Sequence, residues 1–207
     1  MQPRASETGK RRAVEMLAAA AKVFARRGYH GASTQDIADV LGIRQASLYY
    51  YFASKEAALE AVCADGIEDY ERRAREILRS RQSACDKVAR LVMQHLAPLQ
   101  ERLDFTLTFL RERRFLPALA RQRIRAIEVR YERTIEKVIE QGVASGEFRA
   151  DLDTRMATLA LLGLGNSAAI WYGRERGATL ECITTSYVDL LVRAFAKGPM
   201  PPLRVRH

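Results

Sequence analysis

The chain has 207 residues, 48% of them apolar and 29% charged, with a formal net charge of +9. This composition excludes an intrinsically disordered chain, and the basic excess points to a polyanionic partner, nucleic acid before anionic membrane. The most apolar stretch, 156–171, is too short to span a bilayer and is interrupted by Thr158, Asn166 and Ser167, so no membrane partner is expected. The opening segment MQPRASETGKRR is basic but has no apolar h-region, and no signal peptide is expected. Cys63, Cys85 and Cys182 are odd in number and far apart, with no CxxC or Cys/His metal spacing. They read as small apolar side chains in a reducing cytoplasm, with neither disulfide, metal nor cofactor expected.

Gly and Pro punctuate helical periods throughout, and no convincing alternating run appears, so the expected fold is all-α. The first helix is expected over about 9–27, with Val14, Leu17, Ala21 and Phe24 on one face and Gly28 as its stop. Ser33 with Asp36 resembles a capping box for a short helix that turns Ile37, Ala38 and Leu41 inward, and Gly42 ends it in a tight turn. A third helix is expected over 45–51 with Leu48 inward. Phe52 closes this small core, and Ser54 caps a long helix through Leu59, Val62 and Ile67 to about 79.

That order is a helix-turn-helix pattern: a three-helix head over about 9–69, its helix-turn-helix at about 32–51. With Leu48 pointing home, Gln45, Ser47, Tyr49 and Tyr50 are left to reach outward. Gln pairs with adenine edges, Ser donates or accepts, and Tyr hydroxyls suit phosphate oxygens. Lys55 sits at the next helix start, where its charge and the helix N-terminus both favour a phosphate. The competing reading of Tyr49, Tyr50 and Tyr51 is a packed aromatic patch, but three consecutive aromatics cannot all face inward on a helix. Arg4, Lys10, Arg11 and Arg12 precede or open the first helix, either as an arm on the DNA or as a loose end.

The body, 70–207, reads as a helical bundle for ligand binding and dimerisation. Ser83 with Asp86 caps a helix carrying Val88, Leu91, His95 and Leu96; a shorter helix holds Phe105 and Phe109. Pro117 is placed in the first turn of a long helix with Ile124, Ile127, Tyr131 and Ile135, ended by Gly142. Asp153 caps the next, to about 174, and Thr179 the last, through Ile183, Tyr187, Leu191 and Phe195. The segment 156–170 is apolar on more than one face and needs a second partner besides its own core. Gly163 and Ala168 permit close helix approach, and Trp171, Tyr187 and Leu191 anchor a homodimer interface. The plainer alternative is a buried helix in a monomer.

Several motif matches fail on context. Gly163, Gly165 and Ala168 fit GxGxxA but lie within a helix that follows no strand. His30, His95 and His207 have no metal spacing, and no nucleophile–base–orienter set emerges, so an enzyme is the poorest reading. His95 lies on an apolar stripe and reads either as a satisfied core histidine or as a pocket residue with Phe105, Phe109, Tyr131 and Asn166. The dense segment with Arg111, Arg113, Arg114, Arg121, Arg123 and Arg125 is either a solvated face or an anion-binding rim.

The run Thr34-Gln-Asp-Ile-Ala-Asp-Val-Leu-Gly-Ile43, then Leu48-Tyr-Tyr-Tyr-Phe-Ala-Ser-Lys-Glu56, resembles the signature of the TetR family, with the likeness extending back through Ala20, Phe24, Gly28, Tyr29 and Gly31. The resemblance covers about the first 65 positions. It implies that Gln45, Ser47, Tyr49, Tyr50 and Lys55 occupy DNA-contacting positions and Thr34 a phosphate-contacting one. Arg44 departs from the family's capping Ser or Thr, since Arg cannot cap through an oxygen, and is assigned to DNA instead. The body matches only loosely. The resemblance implies that the two C-terminal helices pair in a four-helix bundle and that the interior is a ligand cavity. It further implies a repressor whose dimer sits on operator double-stranded DNA and is released when a small hydrophobic or amphipathic effector shifts the body. Branches controlling lipid catabolism take acyl-CoA, which suits an apolar cavity beside Arg113 and Arg114. The alternative is a ligand-binding or adaptor protein that kept the fold and lost its operator.

Overall fold

The computed structural model describes residues 7–175 and 177–198, and among them ten α-helices and one 3-10 turn account for the named elements. The sole non-helical pairing described is an isolated antiparallel bridge between Phe148 and Ala196.

The first helix, α1 (Glu7–Gly31), buries Met16, Ala20 and Phe24 and is broken at Gly28, whose φ of +67° lies outside the helical region. Its last turn resumes to Gly31 rather than stopping at Gly28. α2 (Thr34–Leu41) starts where the capping box is expected: Asp36 N–H donates to Ser33 Oγ at 3.1 Å, and Ser33 N–H to Asp36 Oδ2 at 2.8 Å. Gly42 ends it with φ +65°, a left-handed residue that glycine adopts without steric cost. α3 (Gln45–Leu48) is shorter than the expected 45–51. The N–H groups of Tyr51 and Phe52 both turn back on the Leu48 carbonyl, which tucks Phe52 into the core at 6% exposure. α4 (Lys55–Arg79) begins with Ser54 Oγ accepting from Ala57 N–H and buries Leu59, Val62 and Ile67.

In the body, Ser83 caps α5 (Ala84–Leu96), and the Glu147 carboxylate accepts from the Ala84 N–H at 2.8 Å. α6 (Pro98–Glu101), α7 (Leu103–Glu112) and the 3-10 turn Arg113–Phe115 follow. α8 (Ala118–Ser145) starts after Pro117, whose carbonyl accepts from Arg121 N–H, so Pro117 precedes the helix instead of opening its first turn. Its terminator is Gly146, with φ +76°, and not Gly142. Gly142 serves a tertiary contact: a Cβ there would come within 2.2 Å of the Phe148 ring and 2.8 Å of Ala84 Cβ. α9 (Thr154–Trp171) and α10 (Leu180–Phe195) are capped by Asp153 and Thr179 as expected, although α9 ends at 171 and not 174.

Two compact units result. One holds residues up to 71 with 98–130, the other 72–97 with 131 onward. A linear division at 69/70 is not how the packing groups the chain. α7 returns to α1, where the fully buried Thr108 hydroxyl donates to the Ala21 carbonyl at 3.1 Å. In the second unit Leu91, Leu96, Ile135, Ile139, Phe148, Leu161 and Phe195 form the core.

Candidate nucleic-acid interface and effector site

The outward face of the head carries a polar chain. Gln45 Nε2 donates to Thr34 Oγ1 at 2.7 Å, and Thr34 Oγ1 lies 3.4 Å from the Tyr49 hydroxyl. These bonds orient the Gln45 amide before any partner arrives, which lowers the entropy cost of a bidentate contact. Ser47, Tyr49 and Tyr50 are exposed, Tyr50 at 87%, while Leu48 is fully buried. Arg44 is exposed at the N-cap of α3 and makes no side-chain cap bond, consistent with its chemistry. Arg11 pairs with Glu15 at 3.3 Å; Arg4 lies outside the described residues.

Lys55 is engaged differently from the sequence expectation. Its ammonium donates to the Tyr29 and Ala32 carbonyls, each at 3.0 Å, and sits 4.3 Å above the Tyr29 ring. Two of its three N–H bonds therefore close the end of α1, and a phosphate contact is left the third. Tyr29 is the centre of this corner. Its hydroxyl donates to Glu56, which pushes the phenol up to about 12, with burial adding to the effect, and holds the Glu56 carboxyl below its ordinary range. Its N–H donates to Glu112 Oε2 at 2.8 Å, and its ring stacks on Phe115 at 5.5 Å.

In the second unit, His95, Tyr131 and Asn166 come together. His95 Nδ1 is 3.0 Å from the Tyr131 hydroxyl and Nε2 is 3.2 Å from Asn166 Oδ1. Burial pushes the imidazole from 6.5 down to about 4, opposed only by the Asn166 bond, so the ring is neutral at pH 7. A neutral ring that donates from Nε2 to the amide oxygen must accept at Nδ1 from Tyr131. Gly165 makes room for it: a Cβ there would lie 2.1 Å from His95 Cδ2. Phe105 and Phe109 belong to the other unit and carry guanidinium groups on their faces, Arg102 over Phe105 at 3.9 Å and Arg113 over Phe109 at 5.0 Å. Arg113 also donates to the Phe109 and Leu110 carbonyls and pairs with Glu128 at 3.1 Å, so it fastens α7 to α8. Its neighbour Arg114 is exposed.

Of the dimer residues expected from sequence, Ala168 and Leu191 are buried in the chain's own core, and the interface reading is corrected for them. Their faces already have partners. Gly163 is exposed, with Trp171 and Tyr187 half-buried. The exposed apolar side of α9 instead runs through Met156, Ala160, Gly163, Ser167 and Ile170, with Leu159 beside it and Leu190 exposed on α10.

Residues 16–62 match the profile of bacterial regulatory proteins of the tetR family. Residues 81–195, more than half of the chain, match the tetracyclin repressor-like C-terminal domain. The chain belongs to the TetR family. Like its relatives, this TetR protein is a DNA-binding transcriptional regulator. It is 25% identical over 180 residues to the fatty acid metabolism regulator protein of Bacillus subtilis, covering 86% of this chain and 93% of that one. It is 27% identical over 186 residues to the transcriptional repressor KstR2 of Rhodococcus jostii, covering 89% and 91%. The structure of FadR from Bacillus subtilis in complex with stearoyl-CoA superposes with a TM-score of 0.73 at 25% identity, over 86% of this chain and 97% of that one.

Sequence reading missed the Tyr29 corner of this TetR head. Glu112 lies 83 positions from Tyr29, and no local pattern announces the pair. The one signal was Gly28, whose positive φ turns the Tyr29 N–H out of the helix.

Proposed function

We propose that this protein is a cytoplasmic homodimeric repressor with no catalytic role. Its α2–α3 heads hold operator DNA, and an acyl-CoA-like effector releases it. The observation that carries the reading is the Thr34–Gln45–Tyr49 polar chain on the exposed face of a helix-turn-helix with a buried Leu48. The regulators of fatty acid metabolism and the stearoyl-CoA complex among the relatives support the effector class. Thr34, Arg44, Gln45, Ser47, Tyr49 and Tyr50 contact the operator, with Lys55 contributing through its remaining N–H. The His95–Tyr131–Asn166 cluster, with His95 and Tyr131 buried, is the polar element of the effector-responsive body. Among the described residues no helix is long and apolar enough to cross a membrane.

Gel-shift titration on the operator tests the docking. Gln45→Ala is expected to cost about 1–3 kcal/mol and to relax preference at one base per half-site. Tyr49→Phe is expected to weaken all sequences alike, as loss of a phosphate contact does. Unchanged affinity in both variants sinks the assignment. For the effector, operator release by a series of acyl-CoAs is expected to strengthen with chain length, at up to about 0.8 kcal/mol per methylene buried. Release by neutral or cationic drug-like compounds in place of any thioester overturns the effector class while leaving operator binding intact.

A further inference from the structure

Beside the Tyr29 corner lies a pocket of about 230 Å³ that the operator does not explain. Arg113, Arg114, Arg121 and Arg125 line it with Glu128, over an apolar floor of Leu116 and Ile124. Both floor residues are almost fully buried, so the walls are set by the core. Four guanidinium groups face one carboxylate. Glu128 binds Arg113 and Arg125, each at 3.1 Å, and Arg113 is further held by two carbonyls. Arg114 and Arg121 are exposed and form no ion pair with a described residue. Arg114 lies over the Phe115 ring at 4.7 Å, which orients its fork. The α8 residues that line it, Arg121, Ile124, Arg125 and Glu128, share one face of the opening turns of this 28-residue helix.

An excess of planar cations over carboxylates around one pocket selects an anion with several oxygens, because guanidinium binds phosphate bidentately. Pockets for whole drug-sized ligands run from about 300 to 1,000 Å³, so this one takes a group and not an entire ligand. We infer that it binds the diphosphate portion of a phosphoester ligand, with Arg114 and Arg121 as the principal contacts. Two sources supply that chemistry, a coenzyme A headgroup and free diphosphate. The headgroup source rests on the acyl-CoA reading above; the anion site itself does not. The pocket is adjacent to the head's own fastening, since Glu112 next to Arg113 accepts the Tyr29 N–H and Phe115 next to Arg114 stacks on the Tyr29 ring. An anion that draws this turn toward α8 acts on both contacts.

Calorimetry on the full-length protein with coenzyme A and with inorganic pyrophosphate tests the site, comparing wild type with Arg114→Ala/Arg121→Ala. Wild type is expected to bind both probes, more weakly at high salt, and the double variant to lose at least tenfold for each. Tighter binding of coenzyme A than of pyrophosphate supports the headgroup source; equal binding supports the free anion. Arg114→Lys/Arg121→Lys retains charge and controls for folding, and is expected to recover part of the affinity. The proposal is overturned if wild type binds neither probe or if the double variant binds both unchanged. It is also overturned if the double variant loses operator affinity alone, which assigns the arginines to the DNA backbone. Palmitoyl-CoA separates the two claims. Failure to release operator from wild type, with coenzyme A still bound through these arginines, defeats the effector reading and leaves the pocket. Equal release from wild type and the double variant defeats the pocket and leaves the effector reading.

Discussion

Gly165→Ala is expected to cost about 3 kcal/mol or more of stability and to abolish most of the protein's histidine-linked sensitivity to acid. A Cβ at 165 would stand 2.1 Å from His95 Cδ2 and 2.8 Å from Nε2, so the ring or the helix must shift. It is buried and held on both sides, by Tyr131 at 3.0 Å and Asn166 at 3.2 Å. Overpacking alone costs about 1–3 kcal/mol. Displacing the ring also breaks its bonds to Tyr131 and Asn166, each worth about 0.5–1.5 kcal/mol. The acid response follows from the same burial. The unfolded chain protonates His95 near 6.5, whereas the native ring resists until about 4. The stabilisation is therefore complete above 6.5, is lost as pH falls from 6.5 through 4, and amounts to about 3 kcal/mol at 1.36 kcal/mol per unit. Urea denaturation at pH 7, 5.5 and 4 checks both statements. The difference between wild type and His95→Gln isolates this histidine from the carboxylates that titrate alongside it. A difference that stays constant with pH rules out the neutral buried ring.

Ile170→Asp is expected to split the dimer and reduce operator affinity by about 10²–10⁴-fold while leaving the protomer folded. Ile170 and Met156 are 55% and 60% exposed at opposite ends of one side of α9. The positions between them, Ala160, Gly163 and Ser167, follow spacings of three and four, which place all five on a single helical face. The opposite face, with Ala157, Leu161 and Ala168, is already buried in the protomer. An exposed apolar stripe on a helix whose other side is satisfied calls for a second copy, and each large side chain it covers contributes about 1.5–3 kcal/mol. A carboxylate at 170 would have to be desolvated without a partner, which costs more than the contact gains. Affinity falls because two linked heads bind as one ligand, and separation removes that effective concentration. Gly163→Leu complements the test. No atom lies within 4 Å of a Cβ built at Gly163, so leucine fits the protomer and clashes only across the interface. Sedimentation that shows Ile170→Asp still dimeric, or a monomer with undiminished operator affinity, counts against the placement.

Most helix starts are legible in the sequence because their instructions are local. Ser33 and Asp36, Ser83, Asp153 and Thr179 start their helices through bonds to backbone N–H groups three positions away, and Gly42 ends one through its own φ. Leu48 inward with Gln45 and Ser47 on the other side follows from the turn of a helix alone. Distant pairings decided the rest. Gly142 has the look of a terminator, but Phe148 requires it, and the true stop is Gly146. Lys55 has the look of a phosphate ligand, but the Tyr29 and Ala32 carbonyls, 26 and 23 positions away, hold it. Arg113 and Arg114 are neighbours of identical chemistry, and only the position of Glu128 makes one a fastener and leaves the other exposed. On α9 the periodicity reveals two apolar faces without ranking them. His95 and Asn166, 71 positions apart, meet on the Gly165 side, which turns Ala168 inward and leaves Met156 and Ile170 outside. Helical spacing states which residues share a face; which face meets the core is set by the helices packed against it, and that is a property of the folded chain.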